Sequence, residues 1–111
     1  MSRAVANPWA GEVALVIGGE RRVMRLTLGA LAEMEAAMGA DSLVDLVARF
    51  EEVRFSSRDV LAVIVAGLRG GGWEGGAADL LTAEIEGGPV CAARAAAQLL
   101  ARAFALPEAG G

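Results

Sequence analysis

Residues Gly11–Gly39 read GEVALVIGGERRVMRLTLGALAEMEAAMG, and the change of period inside this stretch decides the fold. From Glu12 to Ile17 apolar and other side chains alternate, which places Val13, Leu15 and Ile17 on one face of a strand. Gly18-Gly19 marks a tight turn, so a second strand returns beside the first. At Thr27 the apolar spacing becomes helical: Leu31, Met34 and Met38 fall on one stripe, Thr27 is placed to cap it, and Gly39 to stop it. A hairpin running into an amphipathic helix follows.

Two hairpin registers fit these residues. With Gly19-Glu20 as the two-residue loop, Leu15 faces Met24 and Val13 faces Leu26. With Gly18-Gly19 as the loop, Leu15 meets Arg22 and Val13 loses Leu26. A slip of one residue changes which side chains reach the core. The first register is expected because it opposes apolar partners, with Gly19 supplying the positive φ of a type II′ turn.

Downstream, Asp41 or Ser42 is placed to cap a second helix carrying Leu43, Leu46, Val47 and Phe50. A third helix starts at Ser56, with Asp59 completing a variant capping box and Phe55 and Val60 forming a hydrophobic staple. Its expected apolar face is Val60, Leu61, Ile64, Val65 and Leu68. The segment GGGWEGG then breaks the chain, and two roles are open to Trp73: a lid on the core, or an anchor for a partner. A short helix is expected from Ala77 to Glu86, with Leu80, Leu81 and Ile85 inward. Pro89 opens the last helix, which runs to about Ala105 and is stopped by Pro107. Its polar residues, Arg94, Gln98 and Arg102, are spaced by four and form one narrow stripe. The expectation is an α+β fold, one hairpin on four to five helices, in a single domain over 1–111 with 1–10 and 107–111 as flexible ends.

The residue inventory argues against catalysis. His and Tyr are absent, all ten basic residues are Arg, and Cys91 is the single cysteine. Nucleophilic, acid–base and zinc chemistry draw most heavily on the missing types. Ser56 and Ser57 have no His or Lys to activate them, and Glu33 and Glu35 point in different directions on a helix. No enzyme, cofactor or metal site is expected. With a net charge of −4, nucleic-acid binding is disfavoured, and the basic trio Arg21, Arg22 and Arg25 reads as a solvated strand face. The longest apolar run, Val60–Leu68, has nine residues, against the ~20 that a membrane helix needs, so a cytoplasmic chain without a membrane span is expected. Apolar residues make up 55% of the chain, a surplus that predicts a surface covered by a partner or by further copies of the same protein.

The stretch quoted first, followed by SLVDLVARF and SSRDVLAVIVAGLRGGG, resembles the small tail proteins of gene transfer agents and related prophages. That family is placed among the phage tail assembly chaperones. The likeness covers roughly residues 7–105 and is most specific at Leu26-Thr27-Leu28-Gly29-Ala30-Leu31 with Glu33 and Glu35, whereas Trp73 has no counterpart. It implies a non-enzymatic helper that binds the tape-measure protein and brings tail-tube subunits to it. No catalytic residues come with it. A structural tail component retained in the particle, or a small regulatory binding protein, are the other readings. The surface expected to meet partners is the hairpin edge and the last helix at Arg94, Ala95, Gln98, Ala101 and Arg102, together with Trp73.

Overall fold

Strands β1 (Val13–Ile17) and β2 (Glu20–Met24) form an antiparallel pair, followed by helices α1 (Leu28–Met38), α2 (Leu43–Glu51), α3 (Ser57–Gly70), α4 (Ala77–Leu80) and α5 (Gly88–Ala103). This computed structural model describes residues 11–38 and 43–104. The α+β arrangement is the expected one. The last helix, expected to run to about Ala105, ends at Ala103, whereas the stop at Gly39, the cap at Asp41 or Ser42, the stop at Pro107 and the ends 1–10 and 107–111 lie outside the described residues.

The register is the other of the two. Val13 opposes Met24, Leu15 opposes Arg22 and Ile17 opposes Glu20, so Gly18-Gly19 is the loop. Both glycines have positive φ, 58° and 83°, as a type I′ turn requires, and that turn matches the twist of the strands. The expectation of Leu15 on Met24 assumed that β2 must be apolar wherever β1 is. Only Met24 of β2 is buried; Arg22 stays exposed and pairs with Glu20 at 2.7 Å.

The other edge of β1 is paired by a distant segment. Ile85 bridges to Ile17, the Gly18 N–H donates to the Glu84 carbonyl at 2.7 Å, and the Glu86 N–H donates to the Val16 carbonyl at 3.0 Å. Residues 84–86 thus run extended along β1. The helix expected from Ala77 to Glu86 therefore ends at Leu80, which is buried, while Leu81 is 71% exposed. The helical spacing of Leu80, Leu81 and Ile85 misled because Ile85 satisfies a strand.

Helix α3 is the centre of the molecule, packing against α1, α5, β2 and α4. Its cap is the expected one: the Asp59 N–H donates to Ser56 Oγ at 3.1 Å, and the Ser56 N–H to Asp59 Oδ2 at 2.9 Å. Val63, Ile64, Ala66, Gly67 and Leu68 are buried, whereas Val60, Leu61 and Val65 of the expected face are half-buried. At its far end α3 touches backbone with backbone. The Arg25 N–H donates to the Gly67 carbonyl at 2.9 Å, and a Cβ on Gly70 or Gly71 would collide with the carbonyl oxygen of Arg25 or Val23. Thr27 caps α1 as read, its Oγ1 accepting from the Ala30 N–H at 3.0 Å.

Candidate protein-binding surface

The surface begins with how α2 is held. Arg49 on α2 donates from Nε and Nη2 to the two carboxylate oxygens of Asp59, both at 3.0 Å. This two-pronged pair locks α2 to the first turn of α3. Burial alone would raise the pKa of Asp59. The hydrogen bonds from Arg49 and Ser56, with the Arg49 charge, outweigh it and hold the carboxyl below the ordinary Asp value. Phe50, at the end of α2, stacks on Phe55 with centroids 4.6 Å apart.

So placed, α2 stands beside α5 with an open groove of about 400 Å³ between them. Val47 and Phe50 form one wall, Ala97, Leu100 and Ala101 the other, with Phe104 at the end. Glu51 is the charged residue that lines it. Among the described residues no buried position carries a polar or charged side chain, and no group of His, Cys, Asp or Glu is arranged to hold a metal.

The residues expected to form a binding surface separate. Arg94, Gln98 and Ala101 are exposed on α5, and Ala101 lines the groove. Ala95 is only 4% exposed and belongs to the core, so its place on the binding surface is corrected. In a helix so rich in alanine, the residue type does not tell an inward position from a marginal one. Arg102 is half-buried, and its Nη1 donates to the Glu12 carbonyl at 2.8 Å. Its guanidinium ties α5 to the start of β1.

The hairpin edge is also less open than expected. A two-residue loop makes Ile17 and Glu20 a hydrogen-bonded pair, so backbone groups of Ala14, Val16, Arg21 and Val23 point outwards. Residues 84–86 cover the β1 edge near Val16, and Arg102 takes up its start at Glu12. On β2 the glycines at the end of α3 cover Val23. Little edge remains for an added strand.

Trp73 is half-buried and packs against the core, and its backbone N–H donates to the Leu68 carbonyl at 2.9 Å. Its indole lies over Gly75, where no Cβ would fit, and Arg69 donates to the Gly75 carbonyl at 3.0 Å. Trp73 thus packs partly on the core, the geometry of a lid, with part of its surface left exposed. Arg69 also pairs with Glu33 at 2.9 Å, which lowers the Glu33 pKa and raises that of Arg69.

Two features escaped the sequence reading: the α2 wall of the groove, and Val53 at the end of α2. The exposed Val44 and the groove residue Val47, three apart, were a legible sign of a second apolar stripe on α2. No helix among the described residues is long and apolar enough to cross a membrane.

No curated protein and no solved structure matches this chain. Residues 10–106, nearly its whole length, match the family described as phage tail tube protein, GTA-gp10. The chain therefore belongs to that family of gene transfer agent and phage tail proteins, whose members serve in the structure or assembly of the tail.

Proposed function

We propose that this protein is a tail assembly chaperone, which binds a helical part of the tape-measure protein and presents it to tail-tube subunits. The observation that carries this reading is an open apolar groove on a domain whose sheet edges are already occupied. Apolar grooves between helices take the apolar face of another helix, while strand addition needs a free edge. Co-expression with a tape-measure protein and a tail-tube protein of the same particle tests the reading. The wild-type chain is expected to co-purify with one or both and to keep the tape measure soluble. Failure to bind either would remove the chaperone role.

The family description favours a second reading, a tail component kept in the finished particle. Mass spectrometry of purified particles separates the two. A chaperone is absent from them, whereas a structural component recurs in a fixed ratio to the tube subunit.

A further inference from the structure

Val53 is the anomalous residue of the described chain. Helix α2 ends with the Arg54 N–H donating to the Arg49 carbonyl at 2.7 Å and the Val53 N–H donating to the Phe50 carbonyl at 3.2 Å. That double closure needs a left-handed residue between the two donors, a place usually taken by glycine. Val53 occupies it with φ 55°, and among the described residues no other non-glycine has positive φ. A β-branched side chain is costly there, yet Val53 is 75% exposed, so packing within this chain does not explain it. Strained residues cluster where a contact needs them.

Its position indicates which contact. Val53 follows Glu51, the charged lining residue, by two positions, and Phe104 stands 40% exposed at the end of the α5 wall. At the other end of α2, Val44 is 76% exposed and shares a stripe with Val47 and Glu51. From Val44 to Glu51 this face of α2 runs roughly 10 Å at the helical rise, about two turns, and Val53 follows just beyond the end of the helix. Ala97 and Ala101, four apart on the facing wall, leave room for another helix to approach closely.

We infer that the α2–α5 groove seats one amphipathic helix of a partner protein, apolar at i, i+3, i+4 and i+7. The helix carries Arg or Lys against Glu51, and Val53 closes the end of its seat. The inference rests on the chaperone reading for the identity of the partner, and on the groove alone for its chemistry.

The test uses the full chain and two synthetic amphipathic peptides of about 18 residues, long enough to form a helix. They share a leucine stripe, and one is flanked by Arg, the other by Glu. Fluorescence anisotropy should show the Arg peptide binding at least about tenfold more tightly, and Glu51→Lys should reverse the preference. Val53→Gly should weaken binding by about five- to tenfold while leaving the circular dichroism spectrum unchanged. Ala101→Glu should abolish binding of the Arg peptide. Equal affinity for the two peptides, or full affinity in both Ala101→Glu and Val53→Gly, overturns the inference. So does a dimer in sedimentation that Ala101→Glu dissociates, because a second copy then fills the groove. Should Ala101→Glu still co-purify with the tape measure, the groove is refuted and the chaperone reading survives. Should the wild type bind the Arg peptide but neither tail protein, the groove stands and the chaperone reading falls.

Discussion

Replacing Val53 by glycine should raise the stability of the free protein, although it removes an apolar side chain. The left-handed conformation costs an L-residue about 1–2 kcal/mol, and φ at Val53 is 55°. Glycine removes that cost but adds about 0.5–1 kcal/mol of chain entropy to the unfolded state. Full burial of a valine is worth roughly 1.5 kcal/mol at the low end, and Val53 is 75% exposed, so the lost packing is about 0.4 kcal/mol. The balance runs from about 0.4 kcal/mol against Val53→Gly to about 1.1 kcal/mol in its favour, centred near 0.4 kcal/mol in favour. At about 4–8 °C per kcal/mol, that central gain should raise the melting midpoint by roughly 1–3 °C. Val53→Asn, which tolerates the left-handed region with less entropy loss, should do as well or better. Thermal and urea unfolding followed by circular dichroism measure both variants. A loss of more than about 1 kcal/mol in both would refute a left-handed Val53 at the end of α2.

Gly70→Ala should cost about 1–3 kcal/mol, because its Cβ meets the Arg25 carbonyl, whereas Gly29→Ala, whose Cβ would make only an ordinary contact with Thr27 Oγ1 at 3.9 Å, should be neutral or stabilising in the same urea titration. Asp59→Asn should cost about 1–2 kcal/mol near neutral pH by weakening the capping box and the Arg49 pair. Since the folded pKa of Asp59 lies below its ordinary 3.8, this stabilisation is present above that value and lost as pH falls through the folded one. The gap between wild type and Asp59→Asn should therefore close in acid, and a gap constant down to about pH 2 would contradict the ion pair. Ala95→Glu should unfold the domain, because that position is 4% exposed, while Ala101→Glu on the exposed groove wall should keep a wild-type spectrum.

The elements whose signals are local were legible in the sequence. Thr27, Ser56 and Asp59 announced their helix starts, because a cap is written within four residues. What depended on distant segments was not. Pairing apolar with apolar placed Leu15 on Met24, but the turn glycines set the register, and residues 84–86 close the other edge of β1 from far along the chain. Ile85 carried a helical spacing and became a strand partner for the same reason. In α5 the polar stripe was readable, yet the inward turn of Ala95 was not, since alanine suits either side. The groove needs two helices to be seen together, and the strain at Val53 needs a backbone angle.

The bond from Arg102 to the Glu12 carbonyl spans 90 positions of sequence, and it sets an order of events during synthesis. The hairpin closes through neighbours and forms early, whereas the outer edge of β1 waits for residues 84–86 and then for the last helix. At bacterial elongation rates of about 5–20 residues per second, that edge stands uncovered for roughly 5–18 s on every nascent chain. Nascent chains halted before residues 84–86 should therefore be the adhesive species, prone to pair with one another through the strand that the finished protein has closed.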